Sequence, residues 1–157
     1  MKVFHTSPLR IEHPDTLHAR KALDFGPGFY VTPLREQAEK YGLRFKKRAL
    51  PALLNGYELA DNWREGFRVK TFSAYDEEWL DFVVANRSLL PVEPWDAVEG
   101  GVANDKIFRT IDLYIAQLIS KEEALSQLRY SRPNYQICFL NQHIIDRSLT
   151  FVEAITL

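Results

Sequence analysis

The sequence has one cysteine, Cys138, among 157 residues. That excludes an internal disulfide framework and a cysteine-cluster zinc site, and it predicts a reducing compartment. Charge of one sign is lacking too. The 20 Lys and Arg nearly balance the 21 Asp and Glu, for a formal net charge of -1. No whole-protein basic field grips nucleic acid, which leaves room only for a local patch. No apolar run approaches the roughly 20 residues of a membrane span. Met1–His5 leads into charged residues rather than an apolar signal core, so the chain is expected to be cytoplasmic, with no membrane partner. There is no internal repeat, low-complexity tract or linker, and the seven glycines and eight prolines are dispersed. One domain spanning 1–157 is expected, with an ordinary globular composition of 46% hydrophobic and 26% charged residues.

Familiar motifs are missing as well. There is no G-x-G-x-x-G, Walker loop, H-E-x-x-H or G-x-S-x-G. The histidines at 5, 13, 18 and 143 lack metal-ligand spacing, and no metal is expected. Cys138 sits in an apolar run, where a buried thiol is packing rather than chemistry. The chemistry must therefore come from scattered residues gathered by the fold.

What is present reads as short interleaved elements. Lys2–Phe4 is an opening strand ending at His5, and residues 6–24 form a surface loop. Phe29–Thr32 is a β-prone run behind Gly26 and Gly28. Thr32-Pro33 starts a helix, with Thr32 as its cap and Leu34, Ala38, Tyr41 and Phe45 on one face. The basic residues Lys40, Arg44, Lys46, Lys47 and Arg48 suit a solvated C-terminal turn; a nucleic-acid contact is the other reading. Strands are expected at Ala52–Leu59, Arg68–Phe72, Trp95–Glu99, Gln136–Leu140 and Phe151–Ile155. Tyr75–Asn86 and Asp105–Leu118 pattern as amphipathic helices, the second with Ile107, Ile111, Tyr114, Ile115 and Leu118 inward. Ser120-Lys121-Glu122-Glu123 is a capping box opening a helix through Leu128. Short strands interleaved with helices predict an α+β fold with small antiparallel sheets.

Three segments, in order, resemble the ADP-ribosyltransferase superfamily, of the type found in poly(ADP-ribose) polymerases and diphtheria-like toxins. They are Phe4-His5-Thr6-Ser7, the run Phe25–Thr32 with the following helix carrying Gln37, Ala38 and Tyr41, and Asn134–Phe139. The whole chain is more similar still to a family of small bacterial domains of unknown function assigned to that superfamily. Leu23–Thr32, Val102–Asp105, Leu118–Ala124 and Gln136–Phe139 carry that similarity.

The resemblance implies split antiparallel β-sheets with flanking helices around a cleft that holds NAD+ as co-substrate. It implies that His5 hydrogen-bonds the adenosine ribose, and that Thr6, with Ser7 beside it, serves the nicotinamide amide through main-chain groups. Thr6 stands where glycine is common, which is tolerable if its side chain points away. Gly28 lets the backbone approach closely, Tyr30 offers a ring for the nicotinamide to stack on, and Phe29 points to the core. Arg20 either pairs with the pyrophosphate or is merely solvated. Gln136 stands where many relatives have the catalytic Glu. An amide oxygen can still orient the ribose 2′-hydroxyl but brings no negative charge. Tyr135 takes that place if the register slips by one residue.

The implied activity is mono-ADP-ribosyl transfer from NAD+ to an acceptor, protein or nucleic acid, with His5, Tyr30 and Gln136 carrying it. Alternatives are transfer to water, as an NAD+ glycohydrolase, or a nucleotide-binding module with little turnover. Small stand-alone domains of this superfamily look like bacterial toxins held by a partner, so a cognate antitoxin is the expected protein partner.

Overall fold

The computed structural model describes residues 1–157. It is a mixed α+β domain with two sheets and five helices. Sheet A contains β1 (Lys2–Ser7), β3 (Leu53–Leu59) and β7 (Leu149–Thr156), in the order β1-β3-β7 and wholly antiparallel. Sheet B contains β2 (Phe29–Val31), β4 (Val69–Thr71), β5 (Ala97–Gly100) and β6 (Gln136–Phe139), in the order β2-β6-β5-β4. The expected antiparallel pattern fails at one edge, where β4 and β5 run parallel. The connection explains how: helix α2 (Glu77–Arg87) lies between them in the chain and returns it to the same end.

The helices follow local chemistry. In α2, the Asp76 carboxylate accepts from the Trp79 N–H at 2.9 Å, and Glu77 and Glu78 fill the first turn. Helix α3 (Asp105–Ile115) is capped by Asn104, and α4 (Lys121–Leu128) has the full Ser120/Glu123 capping box. Helix α1 (Arg35–Lys46) starts later than Thr32-Pro33 suggests, with Leu34 at the cap position. The Thr32 hydroxyl accepts from the Leu34 N–H at 3.1 Å and donates to the Tyr135 carbonyl at 2.7 Å, so it ties the turn to β6 instead. The buried stripe of α1 is Ala38, Gly42 and Phe45; Leu34 and Tyr41 are exposed. The inward face of α3 is likewise shorter than its periodicity, because the helix stops at Ile115 and leaves Leu118 73% exposed. A fifth helix, α5 (Gln142–Ser148), had no clear sequence signal and is capped by Asn141. The opening strand also runs on through Ser7 rather than stopping at His5. No helix is long and apolar enough to cross a membrane.

Two main cores lie on opposite faces of sheet B. One gathers Phe25, Trp79, Val98, Ile107, Ile111 and Cys138, with Tyr30 against it. The other lies between the sheets and gathers Val3, Phe29, Val31, Tyr57, Trp63 and Phe139. Glu99 belongs to the second face and is almost wholly buried, held by a two-pronged ion pair from Arg64 and by the Thr71 hydroxyl. That pair staples the loop after β3 onto sheet B.

Gly28 is fixed by packing. A Cβ there would stand 2.5 Å from the Cys138 sulfur and 2.5 Å from the Phe139 carbonyl oxygen. The close backbone approach at Gly28 is to β6. Gly28→Ala should cost about 1–3 kcal/mol in urea unfolding, as overpacking does. Adding Cys138→Ala should recover only part of it, since the Phe139 main chain stays in the way. Full recovery would contradict this assignment.

Candidate functional site

The two sheets meet through one bridge. The Phe4 N–H donates to the Thr32 carbonyl at 2.8 Å, and the Thr32 N–H donates back to Phe4 at 2.9 Å. The ladder stops there. In an antiparallel strand, main-chain groups of alternate residues point the same way, so Thr6, like Phe4, turns its N–H and C=O toward β2. The Tyr30 carbonyl is not met by a strand partner. It accepts from His5 Nδ1 at 2.7 Å. The imidazole thus takes the carbonyl that the ladder would have used, and the pairing of β1 with β2 ends there.

His5 is fixed in that position. Its ring stacks on Phe29 at 4.4 Å between centroids. A carbonyl can only accept, so Nδ1 carries the proton and Nε2 is left as an acceptor, which no group in the chain uses. Burial lowers its pKa below the ordinary histidine range, outweighing the Tyr30 carbonyl bond that raises it.

Thr6 is buried, and its hydroxyl donates to the Ala38 carbonyl of α1 at 2.6 Å. The side chain therefore points away from the gap and leaves only main chain facing it. Ser7 turns its hydroxyl to the Leu9 N–H and shapes the exit from β1.

Tyr30 lies on the other face of β2. Its hydroxyl donates to the Gly26 carbonyl at 2.8 Å and accepts from the Phe25 N–H at 3.0 Å. Gly26 makes this turn at φ +99°, a conformation that favours glycine. Burial holds the phenol well above its ordinary pKa. Phe29 is in the core, as the strand alternation predicts.

The register question is answered by the pairing of β6. Tyr30 faces Cys138, and Val31 faces Ile137. Gln136 shares the face of Cys138, and so of Tyr30, one diagonal step away, about 7–8 Å in such a ladder. Its amide makes no hydrogen bond within the chain and is half-buried at the strand end. Tyr135 points to the opposite face. Its phenol is pushed up to about 12, by burial first and by the Glu99 carboxylate next. Gln37 of α1 meets both main-chain groups of Tyr135, at 3.4 Å each.

The structure therefore brings Tyr30 and Gln136 to one face of sheet B. It sets His5 on the other face, joined to Tyr30 through the carbonyl. The three flank one gap rather than forming a single cluster. Arg20 is exposed in the preceding loop and makes no ion pair. Two broad depressions lie elsewhere, one of about 420 Å³ lined by residues such as Tyr114, Leu118 and Lys121, the other of about 470 Å³ lined by Asp76, Glu77, Glu78 and Asp81. Cys138 is buried, and burial pushes its thiol up, as an inert packing role requires.

Sequence reasoning missed the residues that hold the glycine loop. Asp24 is nearly buried and receives Arg87 Nε at 2.7 Å and the Ala103 N–H at 2.8 Å. Asn86 donates to the Asp24 carbonyl at 3.1 Å. Spacings of 62 to 79 residues gave no pattern to read.

The half-buried imidazole gives a pH signature. A lowered histidine pKa means that the folded state resists protonation while the unfolded chain accepts it. The His5 contribution is then complete above about pH 6.5 and is lost as pH falls through the folded-state value. Melting curves from pH 8 to pH 5 should show the native protein losing more stability than His5→Gln. Parallel profiles would contradict a His5 held neutral by its surroundings.

The model of a family described as a protein of unknown function (DUF3990) matches residues 1–151. No curated protein and no solved structure matches the chain. Since the match leaves out only residues 152–157, the chain belongs to the DUF3990 family.

Proposed function

We propose that this protein is a mono-ADP-ribosyltransferase, which cleaves the nicotinamide–ribose bond of NAD+ and transfers ADP-ribose to a macromolecular acceptor. The observation that carries the reading is the interrupted ladder between β1 and β2. It leaves Thr6 main chain facing a gap that is flanked by His5, Tyr30 and Gln136. Two sheets joined by a single bridge are compatible with the ADP-ribosyltransferase-like fold that the sequence resembles.

The residues present suit this substrate. A main-chain N–H and C=O pair left without a strand partner is complementary to a carboxamide, which has one acceptor and one donor. Thr6 offers that pair and keeps its side chain against α1. The free Nε2 of His5 can accept from a ribose hydroxyl. Tyr30 presents an aromatic face held still by two hydrogen bonds, suited to a flat ring. Arg20, with no internal partner, is placed in sequence just before the glycine loop and can pair with pyrophosphate.

Gln136 is the group with a role in the transition state. Its free amide oxygen orients the ribose 2′-hydroxyl as positive charge develops on the sugar. It supplies a dipole where a glutamate would supply a charge, so turnover is slower than a glutamate site allows. That same neutrality is what favours the second reading, a nucleotide-binding module. A toxin neutralised by an antitoxin protein is the biological setting we propose, by analogy with small domains of that type.

Incubation with labelled NAD+ and cell lysate, following free nicotinamide and label on macromolecules, tests the activity. NAD+ should raise the melting temperature by mass action, and Tyr30→Ala should remove most of that shift. Gln136→Ala should slow nicotinamide release roughly 10²-fold while NAD+ binding is nearly kept. Gln136→Glu should keep or raise activity. If wild type, Gln136→Ala and Gln136→Glu bind NAD+ equally and none releases nicotinamide, the binding-module reading stands. A melting temperature indifferent to millimolar NAD+ defeats both.

A further inference from the structure

The glycine loop is tied to the rest of the domain by a buried charge that the catalytic reading does not use. Asp24 and Arg87 side chains are 11% and 7% exposed. The two carboxylate oxygens are divided between separate elements. One takes Arg87 at the end of α2, and the other takes the Ala103 N–H in the connection from β5 to α3. The Asp24 carbonyl takes Asn86, which also reaches back to the Phe82 carbonyl of α2. The guanidinium of Arg87 lies over the Phe108 ring at 3.9 Å, and its Nη1 comes no nearer than 3.8 Å to Asp112.

Such a pair is poorly explained as a stabilising device. Taking both charges out of water costs much of what their attraction returns, and apolar side chains of similar volume often do as well. What the pair does supply is geometry. Three donors, two from α2 and one from the β5–α3 connection, converge on one residue, Asp24. The next two residues are the ones that hold the Tyr30 hydroxyl, Phe25 through its N–H and Gly26 through its carbonyl. The strand alone fixes which face Tyr30 occupies, but not how its ring is turned on that face.

We infer that Asp24, clamped by Arg87 and Ala103, is a positioning residue that sets the orientation of the Tyr30 ring. The link runs from Arg87 to Asp24, then through the main chain of Phe25 and Gly26 to the phenol. The consequence for nicotinamide binding rests on the proposed function; the control of Tyr30 does not.

The test reads the two separately. Fluorotyrosine-labelled protein, with the Tyr30 signal among the seven tyrosines assigned by Tyr30→Phe, is observed by fluorine NMR without ligand. The variants are the charge-neutral double change Asp24→Asn with Arg87→Met, and Arg87→Lys, which keeps the counter-charge and so the fold. The Tyr30 signal should move or broaden in both, more in the double variant, while those of Tyr57 and Tyr135 stay. The phenol of Tyr30 should then titrate nearer pH 10, as a freed tyrosine does. Nicotinamide release should fall roughly 10- to 100-fold, the cost of a misplaced binding group. An unmoved Tyr30 signal in a folded variant overturns the inference, and so does a uniform shift of every tyrosine. A moved Tyr30 signal in a protein that releases no nicotinamide upholds the clamp and counts against the transferase reading alone.

Discussion

One hydrogen bond decides the shape of the candidate site. Strands β1 and β2 start a ladder at Phe4 and Thr32, and the next carbonyl along β2, that of Tyr30, goes to the His5 ring instead of to a strand N–H. With a side chain in place of a ladder bond, the pairing between the sheets ends at that single bridge. The carbonyl remains paired and the ring gains a stacking partner in Phe29, while the Thr6 N–H that would have met the carbonyl is left free for a ligand. Everything proposed for the gap depends on this exchange: the orientation of Thr6 main chain, the free nitrogen of His5, and the separation of two sheets that would otherwise be one.

Around this opening the polar groups are paired closely. Thr32 and Gln37 satisfy the main chain of Tyr135 where β6 begins. Glu99 with Arg64 holds the opposite face of sheet B, and Asp24 with Arg87 holds the glycine loop. The Asp24–Arg87 pair, buried on both sides, fixes position more than it adds stability. By contrast the Gln136 amide, His5 Nε2 and Arg20 have no partner within the chain. These free groups lie beside the gap or in the loop that leads to it, which is what a binding site asks of the side chains around it.

Much of the fold was legible in the sequence where the signal is local. The Ser120 capping box, the strand at Gln136–Phe139 and the glycine-led strand at Phe29 follow from residue type and spacing alone. The parallel pairing of β4 with β5 was not legible, because the same short apolar runs serve either direction. Helix α5 was hidden by its length of seven residues, too short for periodicity to register. At the site, the facing of Gln136 rather than Tyr135 could be posed from the sequence but not decided, since alternation gives two phases and only the pairing with β2 chooses between them. Gly28 shows the limit differently. Its need for glycine was legible, but its reason, the Cys138 sulfur and Phe139 carbonyl, belongs to a strand more than a hundred residues away in the chain.

The central claim is that the gap between β1 and β2 receives the carboxamide end of NAD+ on the main chain of Thr6. Amide NMR of nitrogen-labelled protein during NAD+ titration measures this directly, residue by residue. The account predicts saturating shifts of the Thr6 and Tyr30 N–H signals, the former moving as a newly made hydrogen bond moves it, with Phe4 and the outer strand β7 little changed. Saturating shifts confined to the depression around Tyr114 and Leu118, or to the acidic face at Asp76–Asp81, would contradict it, as would no shift at all.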